Sequence, residues 1–348
     1  MIEEHIINLI LIFGGTVSSF LLAYFICPIF ISLLIKLKIS KRIRTEASSG
    51  KAILFNVLHK HKAGTPTMGG ILIWVTTLII VLATRFISYI GVVDHSLINR
   101  KETYLPIFTL VTLGLLGAVD DYFNIRGWGK SHGINMRPKF LWLTFFAALG
   151  SYWFYFKLGY DTIHIPFFGD YFIGLWYIPL FIFIIIASAN SVNFTDGLDG
   201  LAGGLSILAL LSLGIIAYSQ GLLILTAFCG VLIGALLAFL WFNIPPAKFF
   251  MGDTGSIALG GTMGVIAMLT NSVVVFPLIM FIFVIETLSI IIQLTSKKLR
   301  NGKKVFYIAP IHHHFEHIGW PAHQVTMRFW IIGAFFAGLG TLLGITQI

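Results

Sequence analysis

The chain has 348 residues, of which 57% are hydrophobic and only 11% are charged, and its mean hydropathy is +0.92. These values exclude an ordinary soluble domain and predict a polytopic membrane protein. The net charge of +9 suits anionic lipid headgroups and anionic substrates, and because no polar domain is available to carry a nucleic-acid interface, we expect no nucleic-acid partner.

Apolar runs that can cross a bilayer recur along the whole chain and predict an all-α protein with ten transmembrane helices. In chain order they cover residues 6–35, 68–84, 105–119, 140–156, 171–189, 201–218, 222–242, 256–269, 273–294 and 329–348. Between the fourth and fifth runs, residues 159–170 alternate loosely around a Pro and a Gly, which predicts a short hairpin on the outer face. We expect one integral membrane domain that covers residues 1–348.

The positions of the basic residues predict the orientation of these helices. Most of the 23 Lys and Arg residues lie in the loops that follow the first, third, seventh and ninth runs. Because cytoplasmic loops are enriched in Lys and Arg, these loops are expected in the cytoplasm and both termini outside. All the acidic motifs described below fall on the same side, so the predicted active site lies on the cytoplasmic face.

Paired carboxylates end the third run, in the segment GAVDDYFN. Adjacent residues on a helix point about 100° apart, so Asp120 and Asp121 are expected to serve different partners, one a metal and the other a proton. A solvated helix end is the alternative. It is disfavoured because negative charge opposes the macrodipole there and because carboxylates near lipid are costly.

The segment NSVNFTDGLDGLAGG places Asn190, Asn193, Asp196 and Asp199 among small residues between two apolar runs. This pattern favours an irregular backbone that exposes amides and carboxylates to a polar ligand. The alternative is a helix N-cap, in which Asp196 or Asp199 caps the helix that begins near residue 201. The two interpretations are compatible, because helix N-termini also favour bound phosphate.

The segment WFNIPPAKFFMGDTGS places Asn243 and Lys248 before Asp253, where a new apolar run opens. The spacing of a phosphate-binding P-loop is absent here and elsewhere in the chain. Phosphate would therefore be bound through Mg²⁺ and scattered lysines, and an oxygen-rich set of Asp and Asn is what Mg²⁺ prefers.

Four histidines lie in the late loop segment IAPIHHHFEHIGW, at positions 312, 313, 314 and 317. Three consecutive histidines cannot all lie on one face of a helix or strand. Zinc is an alternative ligand, but no Cys is nearby, and neutral His also donates to phosphate and carboxylate oxygens. Glu286 lies well inside a run, and the sequence assigns it no role.

The segments TPTMGG, VDDYFN, NSVNFTDGLDGLA, FNIPPAKFFMGDTGS and APIHHHFEHIGW follow one another on successive cytoplasmic loops. In this order the chain resembles the phospho-N-acetylmuramoyl-pentapeptide transferase (MraY) family across essentially its whole length. The aspartate motifs resemble the wider polyprenyl-phosphate N-acetylhexosamine-1-phosphate transferase superfamily, whereas the His-rich segment is more specific to the family.

The resemblance implies a Mg²⁺-dependent enzyme of the bacterial inner membrane. Its substrates would be UDP-MurNAc-pentapeptide and undecaprenyl phosphate, and its products lipid I and UMP. The polyprenyl tail would remain among the membrane lipids while both phosphates meet at the cytoplasmic surface, where a metal offsets the repulsion between them.

The resemblance also implies roles for individual residues. Asp253 would bind Mg²⁺ with support from Asp121, and Asp120 would deprotonate or orient the lipid phosphate. The residues expected to contact the substrates are Lys62, Thr67, Lys139, Asn190, Asn193, Asp196, Asn243, Phe250, His312 and His313, with His314 in the catalytic set. Many members carry Lys where this chain has Asn124, and Lys130 or Lys139 is the expected substitute.

Two other functions remain open at the level of sequence. A related transferase that uses UDP-GlcNAc would share the aspartates and differ in the His loop. A secondary transporter would place its charged groups near the bilayer midplane, where Glu286 is the one carboxylate. The sequence leaves open whether the protein acts as a monomer or as a homodimer.

Overall fold

A computed structural model describes residues 2–40, 46–47, 50–51, 64–91, 96–99, 101–127 and 136–346. The predicted substrate residue Lys62, and Lys130, lie outside these residues. The helices are α1 (Ile2–Lys36), α2 (Gly70–Tyr89), α3 (Tyr104–Arg126), α4 (Met136–Tyr152), α5 (Tyr177–Thr195), α6 (Leu201–Ser219), α7 (Leu223–Asn243), α8 (Asp253–Leu269), α9 (Phe276–Ile279), α10 (Phe281–Leu299), α11 (Ile311–His317) and α12 (Ala322–Ile345). The strands are β1 (Glu46–Ala47), β2 (Gly50–Lys51), β3 (Thr162–Ile165) and β4 (Gly169–Phe172).

The protein is a mostly helical, multi-pass membrane protein. In the described part of the chain, seven segments are long and apolar enough to cross a membrane: Leu9–Lys36, Gly70–Tyr89, Tyr104–Arg126, Gly174–Thr195, Leu201–Ser219, Leu223–Asn243 and Ala322–Ile345. The other three predicted runs are also helical. They correspond to α4, to the shorter apolar helix α8 and to the pair α9 and α10.

Several predicted boundaries were wrong. The run 273–294 is not one helix, because α9 ends at Ile279, Met280 interrupts it, and α10 continues to Leu299. The run 171–189 includes residues of β4, and its helix begins only at Tyr177. Hydropathy detects apolar composition, which strands and turns at the membrane surface share with helices.

The predicted hairpin at residues 159–170 is confirmed. Strands β3 and β4 pair antiparallel, with Thr162 opposite Phe172 and Ile165 opposite Gly169. A π-helical turn, Trp153–Leu158, connects α4 to this hairpin.

Helix α8 is the centre of the bundle. Every residue from Thr254 to Leu269 is buried. The helix packs mainly against α3 and α5 and also contacts α2 and α6, whereas α1 packs on α7 and α12 packs on α6. Because α8 is enclosed by other helices, its N-terminal residues are placed precisely relative to α3 and α5.

Lipid-facing surfaces lie on the outer helices. Phe13, Phe25 and Ile29 on α1, and Ile331 and Phe335 on α12, are each more than 60% exposed. Such a density of exposed large apolar side chains is typical of helices that contact lipid.

Candidate active site

Three carboxylates from two helix ends meet in one polar cluster. Asp120 and Asp121 lie near the C-terminal end of α3, and Asp253 is the first residue of α8. Gly117 allows this approach, because a Cβ on it would lie 2.2 Å from the backbone oxygen of Asp253. The sequence predicted that these residues would act together, and the packing of α3 against α8 brings them into contact.

Lys139, near the start of α4, lies between two of these carboxylates. Its Nζ donates to Oδ2 of Asp120 at 2.9 Å and to Oδ2 of Asp253 at 2.5 Å. The ammonium group therefore compensates charge that would otherwise be buried against lipid. Of the two lysines proposed in place of Asn124, Lys139 is the one that the structure describes, and it lies at the aspartates.

Lys139 lies just before the apolar run 140–156, and Asp253 lies just before the apolar run 256–269. The attraction between their opposite charges shifts the pKa of both groups. Burial by itself lowers the pKa of Lys139, but the Asp253 and Asp120 carboxylates outweigh it and raise that pKa above its usual range. Partial burial by itself raises the pKa of Asp253, but the Lys139 ammonium and the hydrogen bonds around the carboxylate lower it well below its usual range. Both groups are therefore charged at neutral pH.

Asp121 caps the N-terminus of α8. Its Oδ1 accepts from the backbone N–H of Asp253 at 3.2 Å and its Oδ2 from that of Thr254 at 3.0 Å. A carboxylate at this position satisfies orphan donors and complements the macrodipole. Asp120 and Asp121 therefore contact different groups of the protein, whereas the expected metal and proton roles stay predictions.

The TPTMGG and KFFMGD segments pair through their backbones beside this cluster. Gly69 N–H donates to the Phe250 carbonyl at 2.8 Å, Gly70 N–H donates to that of Met251 at 2.9 Å, and Phe250 N–H donates to that of Pro66 at 2.8 Å. This pairing holds buried Thr67 near Asp121. Both side chains lie beside Gly252, since a Cβ built on Gly252 would be 3.0 Å from Thr67 Oγ1 and 2.5 Å from Asp121 Oδ2.

Asn193 completes the cluster from α5. Its Nδ2 donates to Oδ1 of Asp253 at 2.8 Å and to Oγ of Ser256 at 2.9 Å. Asn190, one turn earlier, donates to the Ile186 carbonyl of its own helix. Asp196 ends α5 and is half-buried.

Asn243 connects two loops through its amide. Its Oδ1 accepts from Gly200 N–H at 2.9 Å and its Nδ2 donates to the Phe249 carbonyl at 2.8 Å. Asp199 accepts from Ala247 N–H, and Gly200, not Asp196 or Asp199, is the N-cap residue of α6. The capping alternative is therefore wrong: Asp199 turns toward the loop after α7, because tertiary contact competes with local capping.

The histidines of α11 form a second cluster. His312 and His313 are buried, and their Nδ1 atoms lie 3.0 Å from Glu286 Oε2 and 2.7 Å from Glu316 Oε2. His314 turns away and stacks on Tyr307. The expectation that three consecutive histidines cannot share a face is confirmed for His314.

Gln293 on α10 holds the loop that leads to these histidines. Its Oε1 accepts from the backbone N–H groups of Val305 and Phe306, both at 3.0 Å, and its Nε2 donates to the Phe306 carbonyl at 2.7 Å. Gln293 therefore supports this loop from the buried face of α10.

The structure thus divides the predicted site residues among three groups. The aspartate cluster contains Asp120, Asp121, Asp253, Lys139, Asn193 and Thr67. The adjoining segments carry Asn190, Asp196, Asn243 and Phe250. The third group lies on α11 and consists of His312, His313 and His314. Their contacts with substrates stay predictions. Sequence reasoning missed Gly117, although its small size one turn before the paired aspartates was a usable signal of close approach.

The donor set suits a hard cation such as Mg²⁺. In the described residues, no group of three His, Cys, Asp or Glu side chains could hold a metal by itself. However, oxygens of Asp120 and Asp253 already converge on one cation, the Lys139 ammonium. Mg²⁺ is usually held by one or two carboxylates together with substrate phosphates and water, so this arrangement fits it.

Two family models match this chain. The model described as glycosyl transferase family 4 matches residues 104–271, which include all three clustered aspartates. A signature of phospho-N-acetylmuramoyl-pentapeptide-transferase matches residues 62–73, which include Thr67.

Similar proteins cover nearly the whole chain and carry the name phospho-N-acetylmuramoyl-pentapeptide-transferase. One from Geobacillus sp. (strain WCH70) is 39% identical over 93% of this chain and 95% of its own length. One from Clostridium perfringens (strain 13 / Type A) is 40% identical over 97% of this chain and 98% of its own length. One from Chloroflexus aggregans is 38% identical over 89% of this chain and 83% of its own length.

Proposed function

The chain belongs to the phospho-N-acetylmuramoyl-pentapeptide-transferase family, and on that premise we propose that it transfers phospho-MurNAc-pentapeptide from UDP-MurNAc-pentapeptide to undecaprenyl phosphate. The products are lipid I, a precursor in peptidoglycan biosynthesis, and UMP.

One observation carries this proposal. Three aspartates, one lysine and one asparagine from α3, α4, α5 and α8 meet at the ends of apolar helices. A reaction between a lipid-borne phosphate and a soluble nucleotide sugar needs its charged groups at the membrane surface, where apolar helices end. A transporter would instead need them near the midplane.

The residues divide the chemistry by charge. Asp120 orients the lipid phosphate or accepts its proton, and Lys139 neutralises phosphate charge. Asp253, supported by Asp121, would hold Mg²⁺, and the bound ion would offset the repulsion between the anionic nucleophile and the diphosphate. Asn193 fixes the rotamer of Asp253 through its hydrogen bond at 2.8 Å.

The finer topology is part of the proposal. Ten spans, both termini outside and an active site on the cytoplasmic face of the bacterial inner membrane agree with the concentration of Lys and Arg on alternate loops. The His segment and the aspartates then face the compartment in which the nucleotide sugar is made.

A direct assay tests the function. Purified protein is supplied with undecaprenyl phosphate, Mg²⁺ and either UDP-MurNAc-pentapeptide or UDP-GlcNAc, and UMP is measured. We expect UMP release with UDP-MurNAc-pentapeptide and none with UDP-GlcNAc. Chelation of the metal should stop release, and added Mg²⁺ should restore it.

The same assay separates the alternatives. UMP from UDP-GlcNAc but not from UDP-MurNAc-pentapeptide would assign the protein to the related GlcNAc-1-phosphate transferases. No UMP from either substrate, with protein that remains folded, would refute a transferase.

A further inference from the structure

Glu286 is a buried acid that the chemistry above does not use. It lies on α10 with 0% exposure, and its Oε2 is 3.0 Å from Nδ1 of His312, which is also 0% exposed. A carboxylate removed from water is unfavourable unless a cation or a donor meets it. His312 is placed to do so, although its N–H is not well aligned for a hydrogen bond.

His313 repeats the arrangement of His312. Its Nδ1 lies 2.7 Å from Oε2 of Glu316, and the two imidazole rings are 4.0 Å apart at an angle of 63°. A proton is favourable on the ring nitrogen that faces a carboxylate, so Nδ1 is the nitrogen expected to carry it in each ring. Nε2 is then the nitrogen directed away from the acid.

Both Nε2 atoms face Gly197, in the turn between α5 and α6. A Cβ built on Gly197 would lie 2.3 Å from Nε2 of His312 and 3.3 Å from Nε2 of His313. In the part of the chain that the structure describes, no hydrogen-bond partner reaches Nε2 of His312. Gly197 follows α5, and Asn193 near the end of that helix contacts Asp253, so one segment of the chain joins the histidines to the aspartate cluster.

We infer that Glu286 is a positioning residue for the transfer reaction: it fixes the proton and orientation of His312, so that Nε2 is presented beside Gly197 to a polar group of the nucleotide sugar. The inference rests on the proposed function. His312 has 0% exposure and His313 has 5%, so His313 is the histidine of this pair that reaches the surface.

Kinetics of two Glu286 variants test this role. Glu286→Leu should lower kcat/KM for UDP-MurNAc-pentapeptide by about 10- to 100-fold, the usual effect of losing the carboxylate behind a functional histidine, while the KM for undecaprenyl phosphate changes little. Glu286→Gln should recover most of the loss, because its amide oxygen can still face Nδ1 of His312 at the distance of the carboxylate. Ser289→Ala is the matched control, since buried Ser289 on the same helix donates only to the Glu286 carbonyl among the described contacts.

A second variant keeps the test valid if Glu286→Leu fails to fold. Gly197→Ala places a methyl group against Nε2 of His312 and leaves Glu286 intact. It should reproduce the selective loss for the nucleotide substrate. Equal loss for both substrates in Gly197→Ala, or wild-type kinetics in Glu286→Leu, would overturn the inference.

A spectroscopic readout separates this inference from the proposed function. In protein with ¹⁵N-labelled histidine, the His312 signal, assigned with His312→Gln, should show a protonated Nδ1 in the wild type and in Glu286→Gln. The signal should change in Glu286→Leu. An unprotonated Nδ1 in the wild type would refute the positioning role, whereas absent UMP release with this signature intact would refute the proposed function alone.

Discussion

Lys139 contacts the carboxylates of both Asp120 and Asp253, and this shared contact sets what each carboxylate can do. Asp253 also accepts from Asn193, so its two oxygens have different partners. Asp121, by contrast, directs both oxygens to backbone N–H groups of α8. At the residue scale, Asp253 and Asp120 are therefore the carboxylates that share a side-chain cation, and Asp121 is the one that holds the backbone of α8.

The first prediction concerns Asp253. Asp253→Asn should reduce kcat at least about 10²- to 10³-fold, because the amide keeps the shape of the side chain but loses the charge that stabilises the transition state. UMP release by purified protein measures the effect, and thermal unfolding in detergent checks that the variant is folded. Added Mg²⁺ should rescue it poorly.

Asp161→Asn is the control for this change. Asp161 precedes β3, and its backbone carbonyl accepts from Ile173 and Gly174 N–H, which the substitution leaves intact. It should turn over at the wild-type rate. Near-normal turnover of Asp253→Asn itself would contradict the metal assignment.

At the scale of elements, the N-terminus of α8 organises the site. It is capped by Asp121 from α3, and its backbone is approached closely by α2 and α3. A Cβ on Gly70 would lie 2.2 Å from the Gly255 backbone, and one on Gly117 would lie 2.2 Å from the Asp253 carbonyl. The position of Asp253 is therefore a property of how three helices pack.

The second prediction concerns the cap. Asp121→Ala should lower the free energy of unfolding by about 0.5–2 kcal/mol, the usual cost of losing an N-cap, and should also lower activity because Asp253 shifts with the end of the helix. Asp121→Asn should be milder, since its amide oxygen still accepts one N–H. Thermal unfolding and UMP release of the same samples would show the two losses together; loss of activity with unchanged stability would instead favour a direct catalytic or metal role.

The third prediction concerns the helix contact. Gly117→Ala should cost about 1–3 kcal/mol of stability, because its methyl group meets backbone that cannot rotate away. Turnover should fall as well, since α8 is pushed from α3. Gly338→Ala on α12, where nothing lies within 4 Å of the new methyl group, is the matched control. If both alanine variants behaved alike, the close packing of α3 and α8 would not govern the site.

At the scale of the whole molecule, the polar site lies at one end of the helix bundle. The C-terminal ends of α3 and α5 and the N-terminal ends of α4 and α8 all meet there, so these four helices alternate in direction. The hairpin of β3 and β4 connects the opposite ends of α4 and α5 and therefore lies on the other side.

The fourth prediction tests this orientation. A membrane-impermeant thiol probe applied to intact cells should label Asp161→Cys and fail to label Lys304→Cys until the membrane is opened. The basic loops motivate the direction. Native Cys27 and Cys229 are both buried, so the unmodified protein gives the background. Labelling of Lys304→Cys from outside would reverse the topology and move the site to the outer face.

The sequence by itself determined the membrane class and the mostly helical structure, and it singled out the carboxylates that the fold brings together. It could do so because hydropathy, turn residues and rare carboxylates are local properties of the chain. Local patterns also predicted that Asp120 and Asp121 would have different partners, since helix geometry alone separates adjacent side chains.

Only the tertiary structure decided which groups meet. Asp121 caps a helix that begins more than 130 residues later, Lys139 joins two carboxylates from different helices, and Glu286 meets His312 of the helix that follows the next loop. Spacing along the chain does not encode such contacts, because they depend on the directions and close approaches of packed helices. The break at Met280 escaped prediction for the same reason: an apolar segment has the same composition whether its helix continues or is interrupted.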